Sequence, residues 1–170
     1  MKCLITYYSR TGNTRKVAEA IREVIPSECP LINMEEMDRA EGYDLIFAGF
    51  PVMQFGPAKE ATQFLSRLPA GQKLAIFVTH SMDPVSSNPE LNKTLEGILE
   101  KCRRTAGEAS LIGFFHCRGE LNKYAAEMLK GSGIPLLQQF ATMRGETLGH
   151  PDEADLEAAR NFARLVLRKQ

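Results

Sequence analysis

Short apolar runs alternate with amphipathic stretches along most of the chain, and this alternation limits the possible folds more than any other feature. Apolar runs that are rich in β-branched and aromatic residues begin at residues 3, 30, 44, 74 and 109. The run over 44–49 is apolar without alternation, which is typical of strands buried on both faces. Between the runs, apolar residues recur at helical spacing, as in Val17, Ile21 and Val24, and Pro26 is predicted to end that first helix.

This pattern predicts a doubly wound three-layer α/β/α sandwich with a five-stranded parallel sheet in the order 2-1-3-4-5. No repeat, low-complexity segment or linker interrupts the chain, so we interpret residues 1–170 as a single domain. Ligands of such sheets bind beyond the carboxyl ends of the strands, near the switch point between strands 1 and 3. We therefore expect the functional site to follow Tyr8, Gly49, Thr79 and Cys117.

The loop after the first predicted strand combines hydroxyl groups, an amide and a glycine. A phosphate at this position would meet free backbone N–H groups and the positive end of a helix dipole, and Gly12 permits an unusual backbone conformation. The segment is neither a GxGxxG fingerprint nor a P-loop. A plain turn and helix cap is the alternative for Ser9 and Asn13. We predict a phosphate site made of Ser9, Arg10, Thr11, Gly12, Asn13 and Thr14.

The segment Ser-Arg-Thr-Gly-Asn-Thr resembles the T/S-x-T-G-x-T phosphate loop of flavodoxins, in sequence and in its place after an N-terminal strand. The resemblance implies a flavodoxin-like fold that binds FMN. The segment after the third strand resembles the family loop that lines one side of the flavin ring. The chain has no tryptophan, so Met53 or Phe55 is expected to stack on the ring. The Gly56 carbonyl is expected to accept a hydrogen bond from flavin N5–H. The predicted ring contacts in this loop are Pro51, Val52, Met53, Gln54, Phe55 and Gly56.

Two more loops follow the fourth and fifth predicted strands, and the resemblance implies that they contact the other face and the polar edge of the ring. Met82 or His80 is expected beside the ring; His80 can titrate near neutral pH there, and an exposed loop histidine is the alternative. Arg118 is expected to donate a hydrogen bond to the pyrimidine edge of the ring, and a solvated charge is the alternative. Gly119 is expected to leave room for the ring or the ribityl chain. The predicted contacts are Thr79, His80, Ser81, Met82, Cys117, Arg118 and Gly119.

Charge and composition exclude several classes of function. Lys+Arg and Asp+Glu are both 21, so the chain lacks the basic surplus of a nucleic-acid binder and the acidic surplus of many general electron carriers. The four cysteines and three histidines have no metal-ligand spacing, and the cysteines are expected to be reduced, mostly in the core. We predict no metal site and no catalytic residue. No run is long enough to span a membrane, and we expect a cytoplasmic protein.

Three functions are compatible with these features. The first is an FMN electron-transfer protein that serves a dedicated redox partner, a reductase or an acceptor enzyme, docking around Met53, Phe55 and Met82. The second is an NAD(P)H-dependent FMN oxidoreductase acting on a small acceptor. The third is a flavodoxin-fold binding module without flavin, against which the complete phosphate loop argues. Nucleic acid and membranes are not expected partners, and both a monomer and a homodimer remain open.

Overall fold

The computed structural model describes residues 1–25 and 28–169, so the predicted helix end at Pro26 lies outside the described residues. Strands and helices alternate as the apolar pattern predicts. The strands are β1 Cys3–Tyr7, β2 Leu31–Asn33, β3 Leu45–Met53, β4 Gly56–Pro57, β5 Lys73–His80 and β6 Ser110–Arg118. The helices are α1 Asn13–Glu23, α2 Lys59–Leu65, α3 Pro89–Arg104, α4 Lys123–Lys130, α5 Pro135–Thr142, α6 Arg144–Thr147 and α7 Glu153–Arg168, and a 3-10 turn spans Met34–Glu36.

Five strands form a parallel sheet in the order β2-β1-β3-β5-β6, and the two-residue β4 pairs antiparallel with the end of β3. Counting only the parallel strands, this is the predicted order 2-1-3-4-5, which is confirmed. Because all five strands point the same way, the segments that follow β1, β3, β5 and β6 lie at one edge of the sheet. Among the described residues, no helix is both long and apolar enough to cross a bilayer.

Helices cover both faces of the sheet and produce two apolar layers. On one face, α2 and α3 bury Phe64, Leu95 and Leu99 against the sheet. On the other face, α1 and α7 bury Ile21 and Ala163. The central strands therefore have no solvent-facing side, which explains why their sequences are continuously apolar.

Between β6 and α7, where no helix was predicted, lie α4, α5 and α6. These helices have eight, eight and four residues, too few turns for a long apolar period. Tyr124 and Met128 of α4, and Ile134 just before α5, are exposed, so apolar residues here do not all mark a buried face.

Gly49 lies on β3 where the ring of the fully buried Phe77 crosses the backbone. A Cβ placed on Gly49 would lie 1.9 Å from Phe77 Cε2. The two residues belong to the adjacent strands β3 and β5 and are register partners. The absence of a side chain at position 49 therefore lets the largest aromatic of β5 pack flat on the sheet.

Replacing Gly49 with alanine is expected to lower the free energy of unfolding by about 2 kcal/mol or more, because the close-packed core cannot absorb the overlap with Phe77. The measurement is urea denaturation. Gly97→Ala is the matched control: this exposed glycine lies inside α3 with open space around it, and alanine there should stabilise by about 0.5–1 kcal/mol. A loss of stability in the control and none in Gly49→Ala would contradict the packing argument.

Candidate functional site

The loop between β1 and α1 presents the amino end of a helix without a side-chain cap. Gly12, just before α1, adopts the left-handed conformation with φ +92°, and its N–H donates to Ser9 Oγ at 3.1 Å. No side chain accepts from the first turn of α1, and that turn contains no acidic residue. Arg10 and Thr11 are exposed. The backbone N–H groups of this turn, with nearby hydroxyls, are suited to an anion.

Two long-range contacts hold this loop against the sheet. Thr14 Oγ1 lies 2.8 Å from Thr79 Oγ1, and both side chains are buried. Asn13 Nδ2 donates to the Glu120 carbonyl oxygen at 3.0 Å. The side chains of Thr14 and Asn13, predicted as direct phosphate contacts, therefore brace α1 on β5 and on the segment after β6.

Gly119 packs against Asn13. It is buried, and a Cβ at this position would lie 2.9 Å from Asn13 Nδ2. The missing side chain makes room for Asn13, and room for a flavin ring or ribityl chain stays a prediction. Sequence reasoning could not find this contact because positions 13 and 119 come together only in the folded chain.

The predicted loop after the third strand is a tight hairpin. β3 continues through Pro51, Val52 and Met53, and β4 begins at Gly56. The two connecting residues, Gln54 and Phe55, have φ of +49° and +61°, as a type I′ turn requires. The apolar character that suggested a ligand loop belongs mostly to this strand extension. The prediction of a loop is therefore wrong for Pro51, Val52 and Met53, which belong to β3. Only Gln54 and Phe55 form the turn.

Phe55 is the hairpin residue that remains available to a ligand. Its side chain is 39% exposed, whereas Met53 packs partly against the core on the α2 and α3 face. Lys101 Nζ donates to the Phe55 carbonyl oxygen at 3.3 Å and ties the turn to α3. A bulky aromatic residue in the left-handed region is uncommon, and such conformations concentrate at functional sites.

His80 is a buried strand residue, and the prediction that it titrates near neutral pH in a loop is wrong. It is the last residue of β5, is 4% exposed, and its Nε2 lies 2.9 Å from His116 Nδ1. Burial, assisted by His116, lowers the pKa of His80 to about 3, so the ring is neutral. Met82 is also buried in the core, which removes it from an exposed stacking or docking surface, while Ser81 remains half-exposed.

The end of β6 holds one buried thiol and one largely buried guanidinium. Cys117 packs in the core on the α1 and α7 face, and burial raises the pKa of its thiol. Arg118 Nη2 pairs with Glu146 Oε2 at 3.4 Å, and its Nε has no partner among the described residues. Arg118 is therefore partly engaged, the alternative of a solvated charge is wrong, and its role at the pyrimidine edge stays a prediction.

Arg144, Thr147 and His150 hold the segment after β6 in place, and these contacts were not predicted. Arg144 pairs with Glu120 at 3.3 Å, and Thr147 Oγ1 accepts from the Leu121 N–H at 3.0 Å. The Glu120 N–H donates to the His150 carbonyl oxygen at 2.8 Å. These contacts join positions about 26 residues apart, for which the sequence carries no local signal.

One group of side chains among the described residues has a spacing that would suit a metal ion: His150, Asp152 and Asp155. His150 Nδ1 lies 2.6 Å from Asp155 Oδ2. Asp152 and Asp155 form the reciprocal capping box at the start of α7. This cap accounts for the group, and we assign no metal to it.

Residues 4–164 match the family described as flavodoxin domain. A flavodoxin-like domain-containing protein of Clostridioides difficile, BilS, is 30% identical over 180 residues, covering 99% of this chain and 98% of that protein. An uncharacterised protein of Methanocaldococcus jannaschii is 26% identical, covering 99% of each. The crystal structure of oxidised Flavodoxin 2 from Bacillus cereus covers 100% of both chains with a TM-score of 0.60 and 22% identity, which shows a shared fold.

Replacing Phe55 with glycine is expected to raise the free energy of unfolding by about 0.5–1 kcal/mol, because glycine adopts the left-handed turn without a Cβ penalty. Gln54→Asn is the matched variant. Asparagine is favoured at the first position of a type I′ turn, so this change should also stabilise the protein while the Phe55 ring is kept. Urea denaturation of the ligand-free protein measures both. A loss of stability in both variants would show that the turn is not strained.

Acidification is expected to destabilise the fold through His80. The unfolded chain has the ordinary pKa of 6.5 and the folded chain one of about 3, so the unfolded state binds more protons between these values. Stability is then fully present above pH 6.5 and decreases as the pH falls, by about 2 kcal/mol at about pH 5. Urea denaturation at neutral and acidic pH measures this, and His80→Gln should reduce the difference. An equal difference in the variant would exclude His80 as its source.

Proposed function

This chain belongs to the flavodoxin domain family, and from that premise we propose that it is an FMN-binding protein that passes electrons to a dedicated redox partner. Family and fold together support an FMN-binding flavoprotein. The observation that carries the proposal is the uncapped amino end of α1 behind the loop Ser9–Gly12. When bound, FMN supplies the one- and two-electron chemistry, and the protein supplies binding and tuning.

The phosphate of FMN would be held at the amino end of α1. The free N–H groups of the first turn and the Ser9 and Thr11 hydroxyls are neutral donors, and Arg10 adds a positive charge at the exposed rim. The Thr14–Thr79 and Asn13–Glu120 contacts hold these donors in place before the ligand arrives. A prearranged site of this kind loses less conformational entropy on binding.

The flavin ring would lie beside Phe55, the exposed aromatic of the hairpin, with Ser81 and Arg118 on its other margins. Met53 packs partly against the core and Met82 is buried in it, so Phe55 is the side chain proposed to stack on the ring. The titratable groups at the ends of β5 and β6, His80 and Cys117, are buried. Their burial supports a carrier, because neither group can exchange a proton directly with a substrate.

Apolar contacts are the proposed basis of partner recognition. Tyr124 and Met128 on α4 are 76% and 61% exposed, and Ile134 precedes α5. Residues 131–143, which run from the end of α4 to the start of α6, include no charged residue. The chain has zero net charge, so long-range steering contributes little to association. A dedicated partner with a matching apolar surface fits these features.

The phosphate site is tested by comparing FMN with riboflavin, which lacks the phosphate. Gly12→Ala forces a side chain into the left-handed conformation and is expected to weaken FMN binding about tenfold or more while leaving riboflavin binding unchanged. Gly42→Ala is the matched control, since Gly42 has φ +79° and equally open surroundings but lies before β3, at the opposite edge of the sheet. Fluorescence titration measures both ligands. Equal losses for FMN and riboflavin would exclude a phosphate role.

The redox role is tested with the FMN-loaded protein. A carrier should be reduced by light and a sacrificial donor, should pass electrons to cytochrome c, and should oxidise NAD(P)H slowly by itself. Turnover of NAD(P)H with a small quinone would favour the oxidoreductase, and failure to take up FMN would exclude both. Electron transfer to the physiological partner should depend weakly on salt.

A further inference from the structure

Two cysteines lie together at the edge of the sheet far from the flavin loops. Cys3 is the first residue of β1, and Cys29 lies two residues before β2. They are 4% and 1% exposed and belong to the same apolar layer on the α1 and α7 face. Neither residue has a role in the proposed FMN site, because that site lies at the carboxyl ends of the strands.

The strand register explains why the two thiols meet. Ile5 of β1 is the register partner of Leu31 of β2, and the Ile5 N–H donates to the Pro30 carbonyl oxygen at 2.9 Å. Counting back two residues on each parallel strand brings Cys3 beside Cys29, with both side chains on the same face. Neighbouring strands are about 4.8 Å apart, which is within the range of Cα separations that a disulfide can bridge.

The two thiols are electrostatically unequal. The hydrogen bond from the Cys3 thiol, with help from the Arg22 guanidinium, holds the pKa of Cys29 below its ordinary value. The same hydrogen bond, together with burial, raises the pKa of Cys3. Cys29 is thus the better nucleophile of the pair and Cys3 its proton donor. By contrast, burial raises the pKa of Cys102 to about 12, and Cys102 lies on the opposite face of the sheet.

We propose that Cys3 and Cys29 are an oxidisable dithiol that hydrogen peroxide converts into a disulfide. The Cys29 thiol sulfur attacks one peroxide oxygen, so an S–O bond forms and the O–O bond breaks, and the Cys29 proton leaves with the other peroxide oxygen as water. The Cys3 sulfur then attacks the Cys29 sulfur, an S–S bond forms, the S–O bond breaks, and the Cys3 proton leaves with the oxygen as water. One peroxide is reduced by two electrons, and the two thiols are oxidised by two.

The burial of the pair determines which oxidants reach it. Hydrogen peroxide has only two heavy atoms and is far smaller than an aromatic disulfide reagent, which cannot approach thiols that are this deeply buried in the folded chain. The cross-link would tie β1 to the segment that enters β2 at the amino edge of the sheet. It would leave the loop between β1 and α1 unchanged, so FMN binding should be the same in both redox forms.

The experiment treats the folded, flavin-free protein with hydrogen peroxide, blocks the remaining thiols and measures the intact mass and the peptide map. The expected product has lost two hydrogens, contains a Cys3–Cys29 cross-link, and is restored by dithiothreitol. An aromatic disulfide reagent should leave the pair unmodified until the protein is unfolded. Absence of the cross-link in a folded sample, or oxidation at Cys102 or Cys117 in its place, would overturn the proposal.

Variants separate the roles of the two sulfurs. Cys3→Ser should leave Cys29 with one or more added oxygens, because its resolving thiol is gone, whereas Cys29→Ser should leave Cys3 unoxidised. Cys102→Ser is the matched control and should still form the cross-link. Circular dichroism checks that each variant folds, and the wild-type peptide map decides the proposal if one does not. FMN titration of the oxidised protein keeps this result separate from the proposed function.

Discussion

Two buried hydroxyl groups, Thr14 Oγ1 and Thr79 Oγ1, lie 2.8 Å apart where the first turn of α1 meets the end of β5. This contact determines where the amino end of α1 points. The loop before it can then leave its backbone N–H groups free, because the helix needs no capping side chain to stay in place. Asn13, packed over Gly119, adds a second attachment to the segment after β6. The anion site is therefore a property of the whole sheet edge.

Uncharged groups dominate the carboxyl edge of the sheet, and Arg10 and Arg118 lie at its margins. His80 is neutral because burial and His116 disfavour its protonated form, and the Cys117 thiol stays protonated because it is buried. A site of this kind binds a phosphate through oriented neutral donors and changes the properties of a ring mainly by excluding water around it. The proposed oxidisable pair, Cys3 and Cys29, lies at the opposite edge of the sheet, where the Cys3 thiol and the Arg22 guanidinium lower the pKa of Cys29.

The sequence was sufficient for the features that depend on local pattern. Continuous apolar runs predicted the strands and their order, and the segment Ser9–Thr14 lies where it was expected, at the passage from β1 into α1. The hairpin at Gln54 and Phe55 escaped prediction because the turn lacks the usual Asn-Gly signal. The burial of His80 depends on a histidine 36 positions away, and α4 to α6 expose the apolar residues that would normally mark a helix face. The hairpin and α4 to α6 were missed because their local signals are weak, whereas the burial of His80 was missed because it depends on a distant position.

Residues 122–143 lie between two short stretches of chain that contact each other, so the ends of this segment are close together. Its two ends are held by the Glu120–Arg144 pair, by the Leu121 N–H on Thr147 and by the Glu120 N–H on the His150 carbonyl. Because these contacts hold the two ends of the segment 122–143 together, α4 and α5 can change in length or in surface chemistry without moving the strand ends. The surface of α4 and α5, where we propose that a partner docks, can therefore change in sequence while the strand ends keep their positions.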